Sequence, residues 1–106
     1  MNLKPGTKEY RLIIEEKGCC GELHTLGKIA YFVEEFYGIT LEDEDIKDAL
    51  PVENPTQTKS FQNGYSMGKL LVENGFTKEH YIAFYQNLRQ KMKERLEIIE
   101  TTKKLK

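Results

Sequence analysis

The chain has 106 residues, 39% of them apolar and 31% charged, with a formal charge of −1. That length supports one hydrophobic core without metal or disulfide staples, and the composition suits helices that each carry a single apolar stripe. The near-neutral balance excludes a global field that would draw the molecule to nucleic acid or a membrane surface.

The opening Met1-Asn2-Leu3-Lys4-Pro5-Gly6 has no apolar signal region and reads as a flexible arm. The longest apolar runs, 29–33 and 81–85, fall far below the ~20 residues that span a bilayer, so a cytoplasmic protein is expected. Tyr10, Ile13 and Ile14 then fit a helix with Thr7 as its N-cap and Gly18 as its stop. A short strand through Tyr10, Leu12 and Ile14 is the alternative.

Gly18-Cys19-Cys20-Gly21 follows and carries the only cysteines. With His24 nearby they offer potential zinc or copper ligands, but a structural zinc site needs four, and His80 is the only other histidine. Adjacent cysteines also bridge poorly: neighbouring Cα atoms sit about 3.8 Å apart and disulfides want about 4.4 Å or more. Two reduced thiols at a helix start are expected, with no metal and no cofactor.

Leu23, Leu26, Ala30, Val33 and Tyr37 recur at steps of three and four, and Ile29, Phe32 and Phe36 widen the stripe into that of a central helix. Gly38 stands where a left-handed C-cap is expected. A short helix over 41–50 should begin at Thr40, with Asp43 completing a capping box and Pro51 ending it. Residues 51–57, with two prolines, form a connector.

A helix is predicted from Thr58 to Asn74, with Phe61, Tyr65 and Val72 on one face and Leu71 beside them. Gly64 and Gly68 each weaken it by about 1 kcal/mol relative to Ala, which is tolerable if another helix passes close there. The run Gly64 to Lys69 falls short of a phosphate-binding loop: it has one residue too few between the glycines and no Ser or Thr after the lysine. After Asn74-Gly75, Thr77 is the expected N-cap of a last helix, with Phe76 clipped onto Tyr81 as a hydrophobic staple. That helix should run from 78 to about 102, roughly 37 Å, before a basic tail at 103–106. The whole chain is thus expected to be one all-α domain, an irregular antiparallel bundle of four or five helices with a long C-terminal helix.

Three sets of residues carry functional readings. Tyr85, Leu88, Met92, Leu96 and Ile99 form a narrow apolar seam on a helix that should outlast its neighbours, a handle for a partner protein or for homodimerisation. The competing arrangement folds the seam back over Tyr10, Ile13 and Ile14. A degenerate helix-turn-helix at 67–90 would instead turn Lys78, His80, Gln86 and Arg89 toward DNA. Finally, Glu34, Glu35, Asp45 and Asp48 could hold a divalent ion in a small helical enzyme, although acids at a helix start are already explained by capping.

No Ser-His-Asp or Cys-His spacing supports nucleophilic catalysis. The acidic residues of 41–53 and the bases of 89–106 either steer a partner or face each other. The favoured expectation is a small intracellular accessory or regulatory protein, not an enzyme, acting by protein–protein binding through the seam.

Overall fold

The computed structural model describes residue 4, residues 6–15 and residues 21–103. Gly18, Cys19, Cys20, Lys104 and most of the N-terminal arm, and with them the thiol reading and the basic tail beyond Lys103, lie outside those residues. The described chain is an irregular all-α bundle, and no strand forms within it. Its first element, α1 (Lys8–Tyr10), starts where Thr7 Oγ1 accepts the Tyr10 amide at 3.2 Å, and it widens into a π-helical stretch, Arg11–Glu15. Ile14 is fully buried there. The long helix α2 (Glu22–Tyr37) ends at Gly38, whose φ of 68° is left-handed. The Gly38 amide donates to the Glu34 carbonyl and the Ile39 amide to that of Val33, so the terminal carbonyls are satisfied.

The acidic segment begins later than expected. Helix α3 is only Asp43–Ile46, and Glu42, not Thr40, is its N-cap. Asp45 Oδ2 accepts the Glu42 amide at 2.8 Å. Asp43 is drawn away from capping: its Oδ1 accepts from both the amide and the hydroxyl of Thr56, at 2.8 and 2.6 Å. That carboxylate pins the connector, where Pro55 is fully buried in a 3-10 turn, Pro55–Gln57.

Helix α4 (Lys59–Glu73) is capped by Thr58 and runs without a turn at Asn63-Gly64. Its buried row is Phe61, Gly64, Gly68 and Leu71, with Tyr65 and Val72 at the flank. The glycines form the contact itself. A Cβ on Gly64 would lie 2.0 Å from the His24 carbonyl oxygen, and one on Gly27 would lie 2.1 Å from that of Phe61. At Gly68 the nearest atoms, Lys28 O and Tyr31 Cβ, are 3.1 Å away. Backbone therefore meets backbone between α2 and α4.

Helix α5 (Lys78–Gln86) starts on Thr77, which accepts the His80 amide while His80 Nδ1 accepts the Thr77 amide at 2.9 Å. Phe76 stacks on Phe32, with centroids 4.3 Å apart and planes 11° off parallel. Tyr81 and Phe84 meet the same Phe32 ring edge-on at 5.7 and 5.9 Å.

The stretch from 78 to 103 is two helices. Asn87 closes α5, its side-chain amide donating to the Ala83 carbonyl at 3.0 Å, and α6 (Gln90–Lys103) departs on a new course and packs against α3. The seam is consequently internal. Met92, Leu96 and Ile99 are 5%, 1% and 0% exposed, and Tyr85 and Leu88 pack on the same core. The projecting handle expected from an unbroken helix does not exist, because the break returns the seam to its own chain. The segment 89–106 meets 41–53 at backbone, where Arg95 Nη1 donates to the Ala49 carbonyl at 2.5 Å. The acid it pairs with, Glu22, lies outside that acidic run, 3.3 Å from Arg95 Nε and 3.7 Å from Lys91.

Two stability measurements check this packing. Gly64→Ala and Gly27→Ala should each lower unfolding free energy in urea by at least about 1–3 kcal/mol, since helix and helix must part. Gly68→Ala should be near neutral, its ~1 kcal/mol gain in helix propensity offsetting a mild squeeze. Leu96→Ala should destabilise the isolated chain by about 2–5 kcal/mol, as a fully buried leucine does; an unchanged melting temperature would place the seam outside.

Candidate functional site

A tyrosine-lined recess lies between the end of α2, the outer face of α5 and the last turns of α6. It is a half-open cleft of about 390 Å³ lined by Val33, Tyr37, Ile39, Tyr81, Ile82, Tyr85, Gln86 and Glu100. Each wall follows from local structure. The left-handed Gly38 turns the chain so that Tyr37 and Ile39 border the same space. Tyr81, Ile82, Tyr85 and Gln86 share one face of α5, at positions i, i+1, i+4 and i+5. The break at residue 87 lets α6 return far enough for Glu100 to reach that face.

The cleft is aromatic on three sides and acidic at one point. Tyr37 and Tyr81 are 6.0 Å apart with planes at 66°, and Tyr81 and Tyr85 are 6.3 Å apart at 67°, so successive rings form corners instead of a stack. The Tyr85 hydroxyl donates to Glu100 Oε1 at 3.3 Å. Burial first, and then the Glu100 and Glu97 carboxylates, push the Tyr85 hydroxyl up to about 12. Burial, again the first cause, holds Tyr81 protonated still more firmly. Ile82 at the rim is 44% exposed.

Two other recesses lie elsewhere on the bundle. One, of about 340 Å³, lies beside Ala30, Glu34, Asp43, Thr56, Phe61 and Tyr65. There Tyr65 donates to Glu34 and Thr56 to Asp43, so its carboxylates are already engaged. The Glu34 hydrogen bond, ahead of burial, raises Tyr65 to about 12. The other, near Gly21, His24, Leu50, Ser60 and Arg95, contains His24 Nδ1, buried without a hydrogen-bond partner. Burial, reinforced by Lys28, lowers the pKa of that imidazole, which keeps the ring neutral.

Of the residues singled out in the sequence, Tyr85 lines the aromatic cleft, while Leu88, Met92, Leu96 and Ile99 serve the core. The DNA-facing set is not brought together. His80 is spent on the α5 cap, with its ring near Tyr10 and Phe76. Gln86 enters the cleft, leaving Lys78 and Arg89 exposed beyond opposite ends of α5. Asp45 is held by the α3 cap, and among the described residues no three His, Cys, Asp or Glu side chains gather as a metal ion would require. Tyr37, Tyr81 and Glu100 are not legible as site residues in the sequence: Tyr37 belongs to the apolar stripe of α2, Tyr81 to the expected staple, and nothing there singles out Glu100. The one sequence signal at the first two is tyrosine in place of phenylalanine, a hydroxyl that seeks a wet edge.

The tyrosine hydroxyls make a pH prediction. Their folded pKa values lie above the ordinary 10.0, so the stability they contribute is fully present below about pH 10 and is lost as pH rises through about 12. Spectrophotometric titration should show late-ionising tyrosines, one fewer in each of Tyr85→Phe and Tyr65→Phe, that titrate normally once the chain unfolds.

Set against protein-family models, curated proteins and solved structures, the chain matches none, and the reading of the cleft rests on its own residues.

Proposed function

We propose that this protein works by binding, as a small intracellular accessory or regulatory module that receives a side chain of a protein partner in the tyrosine-lined cleft. The observation that supports this reading is the cleft's make-up: apolar walls of side-chain dimensions, three tyrosines, and only two further polar side chains, Gln86 and Glu100. Recognition sites combine an apolar enclosure with a few placed polar groups, and tyrosine is enriched where binding energy concentrates. The cytoplasmic setting goes with this proposal; in the structure itself no helix among the described residues is long and apolar enough to cross a membrane.

The binding surface therefore moves from the enclosed seam of α6 to the concave junction of α2, α5 and α6. Only Tyr85 of the seam takes part. Self-association through Met92, Leu96 and Ile99 would require those side chains to leave the core, at about 1.5–3 kcal/mol each.

A paired-variant capture experiment tests the role. Ile82→Glu places a charge at the exposed rim of the cleft, and Met67→Glu does the same at an exposed methionine on α4, outside it. Proteins retained from native-cell extract by the unaltered chain should be lost with Ile82→Glu and kept with Met67→Glu, both variants melting as the parent does. Partners retained equally by both variants would refute the assignment to this cleft.

A further inference from the structure

We propose, resting on the binding role above, that the group taken by the cleft is the guanidinium of an arginine side chain on the partner protein. Glu100 is the one charged residue lining the cleft, and Glu97 adds its field from the preceding turn. An anion would be repelled there. A purely apolar group filling the space would strip water from the Glu100 carboxylate and leave its charge facing only the Tyr85 hydroxyl, a weak contact at 3.3 Å. A cation restores what the carboxylate loses.

The shape selects among cations. Tyrosine rings meeting at 66° and 67° offer π surfaces at corners, which attract a positive charge through the ring quadrupole. The Tyr37 ring already attracts one from within the chain: Lys78 Nζ, which does not line the cleft, sits 4.6 Å from its centroid. Guanidinium is planar, more weakly hydrated than ammonium, and carries five donors in a fork. The polar residues lining the cleft, Glu100, Gln86 and the three tyrosines, all carry oxygens able to accept from it. The methylene stem of arginine would lie on Val33, Ile39 and Ile82.

Nuclear magnetic resonance titration of the isotopically labelled full chain, with three blocked amino acids as probes, tests this. N-acetyl-arginine methylamide should shift the resonances of Tyr37, Tyr81, Tyr85 and Glu100. The citrulline analogue has the same shape without the charge and should bind at least about tenfold more weakly, as should norleucine. Glu100→Gln should weaken arginine binding by about tenfold and citrulline binding by clearly less. Citrulline or norleucine binding as tightly as arginine would overturn the guanidinium assignment while leaving the cleft a binding site. Absence of cleft shifts with all three probes would overturn both.

Discussion

The backbone contact between α2 and α4 is the constraint from which the rest of the structure is built. Gly27 sits against the Phe61 carbonyl and Gly64 against that of His24, at separations a methyl group could not share. Each glycine costs its helix about 1 kcal/mol in propensity. The return is dispersion over two long surfaces brought to backbone distance, with Phe61 and Leu71 enclosed above and below the glycines. Committing that side of α2 to α4 also fixes what α2 presents elsewhere. Glu34 receives the Tyr65 hydroxyl, Tyr31 meets Tyr65 edge-on at 5.2 Å, and Phe32 is left to the stack with Phe76, Tyr81 and Phe84.

The second determinant is the break after α5. An unbroken helix would retain a few more backbone hydrogen bonds, each worth about 1 kcal/mol net. Met92, Leu96 and Ile99 would then lie beyond the bundle, and burying such side chains is worth about 1.5–3 kcal/mol apiece. Burial wins, and the Asn87 amide reduces the cost of breaking by satisfying the Ala83 carbonyl. Arg95 fixes the returning helix by bonding to both Ala49 and Glu22. The same turn of chain creates the cleft, because α6 comes back at a place where the end of α2 and the outer face of α5 leave a gap.

Local signals in the sequence were therefore legible, and those that depended on distance were not. Thr7 and Thr77 cap the helices expected of them, α4 begins where Thr58 marks its predicted start, and Gly38 takes the left-handed conformation its position required. The glycines of α4 were readable as a point of close approach, though not which helix would approach. Failures occurred where a distant partner decided a residue's role. Asp43 could cap a helix or hold Thr56, and only the folded connector makes the second choice available. The break at Asn87 carried no proline or glycine to announce it.

The division between phenylalanine and tyrosine ties the fold to the site. Phe32, Phe76 and Phe84 fill the interior, while Tyr37, Tyr81 and Tyr85 border the cleft. Interchanging the two residue types would cost the interior an unsatisfied hydroxyl and the cleft its polar rim. Apolar packing alone gives no reason for Glu100 to follow a seam whose preceding members, Leu96 and Ile99, are wholly enclosed. A leucine there would extend the core, whereas the carboxylate makes only a long hydrogen bond to Tyr85, at 3.3 Å. Positions where local chemistry departs from what packing favours are where function is expected to reside. In this chain that departure falls inside the cleft bordered by Tyr37, Tyr81 and Tyr85, and under the binding role proposed above the carboxylate, more than the apolar surface around it, sets what the cleft recognises.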